Sequence, residues 1–204
     1  MKQGGAEMAR YDEAHKAQTR RRILDTAGRR LKRSGIDGSG VSALMSDAGL
    51  TNGAFYAHFG SKDQLVAITV TDQLTAQEET LRSLLSDDGS LQSFVEEYLS
   101  CDHRDHPDQG CPSAALLDEI GRASTEIRSA YTEGIARIIE VVASRADGDE
   151  SASARSTAIG LIAVLVGTMQ LARAVTDEQL SAEILASGIA NAGRLLEHAE
   201  PNSL

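Results

Sequence analysis

Aromatic residues are scarce in this chain of 204 residues, which contains three Phe, four Tyr and no Trp. Any core or ligand pocket must therefore be built mainly from aliphatic side chains. Hydrophobic residues make up 41% of the chain, which is enough for a substantial core. No sustained alternation of apolar and polar residues indicates a strand, whereas apolar residues recur at helical spacing throughout. We therefore expect an all-α fold of about nine helices.

The chain also lacks a long apolar run and has only two cysteines, Cys101 and Cys111. Its longest apolar stretch, Ala158 to Val166, is well short of the roughly 18 residues expected of a membrane span. No signal peptide precedes the cysteines, so we expect reduced thiols, no membrane association and a cytoplasmic location. We find no glycine-rich phosphate loop, no paired carboxylates at defined spacing and no Ser/His/Asp set, and therefore expect neither enzymatic activity nor a cofactor.

The net charge of −10 is unevenly distributed along the chain. Residues 1–60 hold ten Lys/Arg and six Asp/Glu, a net charge of +4, whereas residues 61–204 hold ten Lys/Arg and 24 Asp/Glu, a net charge of −14. This basic N-terminal part on an acidic body restricts any attraction for nucleic acid to one end of the molecule.

The segment from Val41 to Phe59 has the pattern of a helix-turn-helix. Gly49 tolerates the positive φ that a steep turn between two short helices needs. Leu44, Leu50, Phe55 and Phe59 are spaced to bury the inner faces, and Thr51 can cap the second helix. An ordinary helical hairpin would satisfy the same pattern, so the spacing alone leaves both interpretations open.

The identity of the residues in this segment is more specific than their spacing. The string Ala48-Gly-Leu-Thr-Asn-Gly-Ala-Phe-Tyr-Ala-His-Phe-Gly-Ser-Lys-Asp-Gln-Leu65 closely resembles the signature of the tetracycline-repressor (TetR) family, and Thr19 to Ala27 and Gly35 also fit. The resemblance covers about residues 15–70. It implies a flexible N-terminal arm over residues 1–14, a three-helix DNA-binding domain over 15–60, and a helical ligand-sensing and dimerisation domain over 61–204.

The resemblance also implies a function and a set of DNA contacts. The chain is expected to be a sequence-specific transcriptional regulator, by default a repressor, that binds a pseudo-palindromic operator in double-stranded DNA and is released by a small-molecule or electrophile inducer. An interaction module that has lost DNA binding is less compatible with the intact Gly53, Tyr56 and Lys62. The expected base-reading residues are Thr51, Asn52, Gly53 and Ala54, and the expected phosphate contacts are Arg20, Arg21, Ser39, Tyr56, His58 and Lys62.

A single short recognition helix contacts few bases, so specificity favours a homodimer. The last two helices, over about 151–174 and 177–198, are apolar enough to supply the interface, although they could equally complete the core of the monomer. We expect the interface at Leu161, Leu165, Ile184, Gly188, Ala192 and Leu195. A Thr176–Gln179 capping box is expected to open the last helix, as Ser61–Gln64 opens the fourth.

Family members commonly bind a small apolar or aromatic ligand between their middle helices. The candidate pocket residues here are Phe94, Tyr98, Leu116, Ile120, Tyr131, Ile135, Leu165 and Met169, each of which could instead be core. Cys111 precedes a predicted helix, whose N-terminus favours a thiolate, so it is a candidate sensor, with ordinary packing as the alternative. Cys101, His103, His106 and Cys111 match no common zinc spacing, so we expect no metal site.

Overall fold

In the computed structural model, residues 3–86, 90–146 and 152–197 are described, and these residues form ten helices and no strand. This confirms the all-α prediction. The helices are α1 Gln3–Ser34, α2 Val41–Asp47, α3 Asn52–Tyr56, α4 Lys62–Ser86, α5 Leu91–Tyr98, α6 Cys101–Asp105, α7 Pro112–Arg122, α8 Thr125–Ala146, α9 Ala152–Ala174 and α10 Glu178–Glu197.

Two parts of the chain differ from the sequence-based prediction. Helix α1 begins at Gln3, so residues 3–14 of the expected flexible arm are helical; no proline interrupts them, and most are good helix formers. The stretch expected to be a loop before Pro112 contains helix α6, because the Ser100 hydroxyl accepts a hydrogen bond from the His103 amide and caps its start. This helix raises the number from nine to ten.

The capping residues explain where several helices begin and end. The predicted box at α4 is present, because Ser61 Oγ accepts from the Gln64 amide at 3.0 Å and Gln64 Oε1 accepts from the Gly60 amide at 2.7 Å. At α10 the prediction of a Thr176–Gln179 box is wrong. There Asp177 Oδ1 accepts from the Leu180 amide at 2.9 Å, since aspartate is itself a strong N-cap residue.

The helices pack as an N-terminal unit on a larger helical body. Helix α2 contacts both α1 and α3, and α4 packs against both α1 and α8. Helix α9 packs between α8 and α10, while α7 contacts α1 at one side and α9 at the other. The core is almost entirely aliphatic, as the shortage of aromatic residues predicts.

Within α9, the stretch Ser153–Ala174 could cross a membrane by its length and composition alone. A core helix of a soluble protein passes the same test, so one such helix is weak evidence for a span. Here Ala158, Leu161, Leu165 and Met169 are almost inaccessible to solvent and belong to the main hydrophobic core.

Candidate DNA-binding surface and ligand cavity

Helices α2 and α3 form the predicted helix-turn-helix. Gly49 has a φ of +68°, the left-handed conformation that the turn was predicted to require, and the Leu50 amide donates to the Met45 carbonyl at 2.9 Å. Leu44, Phe55 and Phe59 are buried beneath the two helices. The turn and its inward-facing residues were therefore correctly predicted.

The N-terminal turn of α3 presents small or polar residues to solvent. Thr51, Asn52 and Gly53 are exposed and Ala54 is half-buried. Thr51 is the N-cap residue, but its side chain makes no capping hydrogen bond, contrary to the prediction. A Cβ atom built on Gly53 would meet only Thr51 Oγ1, at 3.9 Å, so packing within the protein does not require glycine at this position.

Among the expected phosphate contacts, Tyr56 and Arg21 are the most exposed. Tyr56 is 74% exposed and lies edge-on to the buried Phe55 ring. Arg21 is exposed but paired with two carboxylates, those of Asp25 at 2.6 Å and Asp72 at 2.5 Å. Arg21 would have to exchange these partners to reach a phosphate.

Arg20, His58 and Lys62 are less accessible because they stabilise the loops around α3. Arg20 donates to the His58 carbonyl, and its guanidinium lies 4.4 Å from the centroid of the Phe59 ring. Lys62 Nζ donates to the Ile36 carbonyl at 2.6 Å. His58 is half-buried, and burial together with the positive charges of nearby lysine and arginine lowers its pKa.

The assignment of Ser39 as a phosphate contact is corrected by the structure. Ser39 is completely buried, and its hydroxyl donates to the Gly35 carbonyl at 2.6 Å. The hydroxyl therefore stabilises the loop between α1 and α2 and does not reach the surface.

Sequence reasoning missed a connection between this loop and the helical body. The Glu119 carboxylate on α7 accepts hydrogen bonds from the backbone amides of Ile36 at 2.7 Å and Asp37 at 3.0 Å. Helix α7 therefore contacts the DNA-binding unit directly. No local signal distinguishes Glu119 from other acidic residues, since its partners lie more than 80 residues away in the chain.

A cavity of about 450 Å³ lies at the other end of α7, and we call it the Lys32 cavity. Its walls come from α1, α4, α5, α6 and the loop before α7. Most of the lining residues are of polar types, although they also expose apolar surface, and the members are Lys32, Gln73, Ala76, Gln77, Thr80, Leu84, Phe94, Glu97, Tyr98, Ser100, Asp102, His103, His106, Gln109, Gly110, Cys111 and Pro112.

The candidate pocket residues divide between this cavity and the core. Phe94 and Tyr98 line the Lys32 cavity, and both also line an adjacent void of about 20 Å³ together with Ile135 and Leu165. The other four candidates line neither space, and their packing is the reason: Leu116, Ile120 and Met169 are buried in the core, and the Tyr131 hydroxyl is engaged with Ser113.

Cys111 is the N-cap residue of α7 and is 8% exposed at the edge of the cavity. Its thiol donates to Gln77 Oε1 at 3.3 Å, and its amide donates to His103 Nε2 at 3.1 Å. His103 Nε2 is therefore an acceptor, and Nδ1 carries the proton that is donated to the Tyr98 carbonyl at 2.6 Å. Burial lowers the pKa of His103, which agrees with a neutral ring.

The zinc alternative gains no support from this arrangement. Both ring nitrogens of His103 are occupied by the backbone, and Cys101 is exposed whereas Cys111 is buried. In the three described segments of the chain, no group of three or more His, Cys, Asp or Glu residues could hold a metal ion.

The expected dimer residues are mostly inside the monomer, which corrects that prediction. Leu161, Leu165, Gly188 and Ala192 are buried within the monomer. The reason is close packing between α9 and α10, since a Cβ on Gly188 would come within 2.3 Å of Thr168 Cγ2. The remaining two residues, Ile184 and Leu195, are half-buried.

A different face of α9 is exposed. Ile159 and Leu171 are 48% and 60% exposed, and Ala163, on the same side of the helix, is also exposed. On α10, Leu180 is 44% exposed. We call Ile159, Ala163, Leu171 and Leu180 the outer apolar face.

Comparisons with known proteins agree with this architecture. Residues 23–67 match the family described as bacterial regulatory proteins, tetR family. The HTH-type transcriptional repressor NemR of Escherichia coli K12 is 27% identical over 131 residues, which are 61% of this chain and 65% of NemR. The match thus spans slightly less than two thirds of that relative.

This chain also aligns with solved structures of the same fold, over nearly the whole length of those structures. The reduced form of Escherichia coli NemR superposes with a TM-score of 0.72 at 22% identity, over 87% of this chain and 96% of that one. A TetR-family regulator from Cytophaga hutchinsonii has a TM-score of 0.73 at 16% identity, over 90% and 96%. Residues 23–67 thus match the DNA-binding part of the tetR family of bacterial regulatory proteins, and the fold of the described chain is that of TetR-family regulators.

Proposed function

We propose that this chain is a sequence-specific DNA-binding repressor, which acts as a homodimer and is released from a pseudo-palindromic operator by a small-molecule or electrophile inducer. Its family consists of transcriptional regulators, not enzymes. The observation that carries the proposal is the exposed N-terminal turn of α3, where Thr51, Asn52 and Gly53 are accessible and glycine fills no packing need. Such a turn lets the helix backbone approach base edges in a major groove.

The side chains around α3 support a division of roles. Asn52 has the amide that hydrogen-bonds base edges, whereas Tyr56 is an exposed hydroxyl suited to a phosphate oxygen. The Lys62 ammonium has three donors, and its bond to Ile36 uses one of them, so it can hold the loop and face a phosphate together. Arg20 and His58 act mainly by positioning the end of α3.

Dimerisation is proposed through the outer apolar face. Exposed Ile159, Ala163 and Leu171 follow one another along one side of α9, and burial of such a patch is favourable. Two recognition helices related by a twofold axis would then lie about 34–36 Å apart, one turn of the DNA helix.

Helix α7 is the proposed route from inducer to operator. It begins at Pro112 beside the Lys32 cavity and carries Glu119, whose carboxylate binds the loop between α1 and α2. A ligand that moves the start of α7 would therefore disturb the loop that supports the helix-turn-helix. Coupling of about 1–3 kcal/mol would change DNA affinity about 5- to 150-fold.

Cys111 supports a second form of the inducer, a carbon electrophile. Its thiol is at the edge of the cavity and at the N-terminus of α7. Addition of the thiol to an activated C=C double bond would form a C–S bond, break the π bond and place the thiol proton on the adjacent carbon. The added group would enlarge this residue and break its hydrogen bond to Gln77. In that case Cys111→Ser should remain bound to DNA when the unaltered protein is released.

The test is binding of the full chain to the DNA upstream of its own gene, measured by fluorescence anisotropy against random DNA of equal length. Asn52→Ala should reduce the preference for the operator by about 10- to 100-fold, because one base contact is worth about 1–3 kcal/mol. Lys62→Ala should weaken binding to both DNAs alike and reduce the log–log salt slope by about one.

Asn191→Ala is the matched control, since it makes the same change at an exposed position on α10. It should leave both affinities unchanged. If the unaltered protein shows no preference for the upstream DNA, or if Asn52→Ala and Asn191→Ala behave alike, the proposed reading of bases by α3 is wrong.

A further inference from the structure

Lys32 is a buried cation without a paired carboxylate in the described part of the chain. The residue is 8% exposed, and its ammonium donates to the Gly110 carbonyl at 2.8 Å. No described Asp or Glu oxygen lies within ion-pair distance of it. Burial lowers the pKa of Lys32 to about 8, so the charge is held at a cost in free energy.

Nearby charges act on Lys32 in both directions, since Cys111 and Asp108 raise its pKa whereas Arg29 and Arg173 lower it, but burial has the largest effect. Arg173 is half-buried nearby, and its guanidinium donates only to backbone carbonyls, those of His103, Arg104 and Ala114. The Cys111 thiol is engaged as a donor to Gln77. An unbalanced charge of this kind is stabilised by an anion that enters the cavity.

The cavity holds a second polar group that lacks an ordinary partner. The Tyr98 hydroxyl is buried close to the Cys111 thiol, and among the described residues it makes no hydrogen bond of normal geometry. Tyr98 and Lys32 line the same cavity, and the Phe94 ring, 5.8 Å from that of Tyr98, adds an apolar surface. Two donors beside aromatic rings favour a ligand with an acceptor group and an apolar body.

We infer that the Lys32 cavity binds a small organic monocarboxylate, whose carboxylate takes Lys32 and Tyr98 as donors while its apolar body packs on Phe94. A dianion such as a phosphate ester fits less well, because one ammonium faces it and the carboxylates of Glu97 and Asp102 lie in the same lining. The ligand differs from the apolar molecule expected from the family resemblance. Its role as the inducer rests on the proposed function, but its binding does not.

The experiment compares benzoate with benzamide, which have nearly the same shape and differ in charge, by titration calorimetry on the full chain at pH 7. Benzoate should bind more tightly than benzamide by about 10- to 100-fold, as expected for a charge-assisted hydrogen bond at a buried site. Lys32→Met should abolish this preference, and Tyr98→Phe should reduce it about 3- to 10-fold.

Arg29→Met is the matched control for Lys32→Met, since Arg29 is an exposed cation three residues earlier on the same helix and does not line the cavity. It should retain the preference for benzoate.

Equal binding of benzoate and benzamide, no benzoate binding below about 10 mM, or a preference that survives in Lys32→Met would each overturn the inference. The benzoate–benzamide comparison uses the unaltered protein, so it remains decisive if Lys32→Met does not fold. Binding to the upstream DNA is measured separately. Benzoate binding without operator binding would therefore refute the proposed function alone, and operator binding without benzoate binding would refute this inference alone.

Discussion

The α3 region and the α9–α10 pair differ in how far the sequence predicts which helix face is exposed for binding. In α3 the buried face carries Phe55 and the exposed face carries Asn52 and Gly53, so the contrast between the faces is strong. In α9 apolar residues surround most of the helix, and Leu161 and Leu171 differ in burial but not in chemistry. A face is predictable from sequence only where polarity distinguishes it from its alternatives.

The largest effects are expected from substituting Leu161 and Leu171, the buried and the exposed leucine just compared in α9. Leu161→Ala should lower the free energy of unfolding by about 2–5 kcal/mol, because Leu161 is fully buried and its truncation leaves a cavity. Leu171→Glu should instead convert the proposed dimer to a monomer, because it places a charge in the outer apolar face. Denaturant unfolding at two protein concentrations and light scattering separate the two effects.

If the buried residues of α9 and α10 formed the dimer interface instead, the two variants would exchange their effects on molecular mass. Leu161→Ala would then reduce the molecular mass, and Leu171→Glu would leave both the mass and the concentration dependence of unfolding unchanged.

Unlike the exposed residues of α3, Lys32 is a charged residue that is buried, at the Lys32 cavity. The pKa of Lys32 is about 8, below its ordinary 10.5, because of burial. Between these values the unfolded chain binds more protons at this group, so the free energy of unfolding should rise with pH, by about 3 kcal/mol in total. Below pH 8 the group is charged in both states and the burial cost is fully present.

Lys32→Met should lack this rise. The difference between the two proteins, measured by urea unfolding from pH 7.5 to 10, isolates Lys32 from other titrating groups. Parallel curves for the unaltered protein and the variant would mean that Lys32 is not desolvated as described.

The contact between α7 and the loop after α1 provides a smaller test. Glu119→Ala should cost about 1–2 kcal/mol of stability and speed hydrogen exchange at the Ile36 and Asp37 amides, since both lose their acceptor. Asp118→Ala is the matched control, because this exposed neighbour pairs only with Arg122 at the surface. Unchanged exchange at both amides in Glu119→Ala would contradict a direct link from α7 to the loop.

The smallest effect on stability is expected in the exposed turn of α3. Gly53→Ala should change the free energy of unfolding by under about 1 kcal/mol, because a Cβ meets no close neighbour, yet weaken operator binding about tenfold by blocking approach to DNA. Gly121→Ala in α7 is its control, since a Cβ there meets nothing within 4 Å. Equal operator affinity in the two variants would show that Gly53 is not close to DNA.

The features that were correctly predicted depend on interactions between residues close together in the sequence. The left-handed Gly49, the buried Phe55 and Phe59 and the Ser61–Gln64 cap were all predictable, because each depends on neighbours within a few residues. Errors arose where two local solutions compete, as at Asp177, which replaced Thr176 as the cap of α10. The short helix α6 was missed for the same reason, since its polar residues also suit a loop.

The all-α class, the aliphatic core and the helix-turn-helix with its family signature can be predicted from the amino-acid sequence alone. The inward orientation of Leu161 and Gly188 and the burial of Ser39 are seen in the tertiary structure alone. The same holds for the hydrogen bonds of Glu119 and Lys32 to partners about 80 residues away in the chain. The physical reason is that periodicity specifies which residues share a helix face, whereas burial and long-range hydrogen bonds depend on which neighbour covers that face.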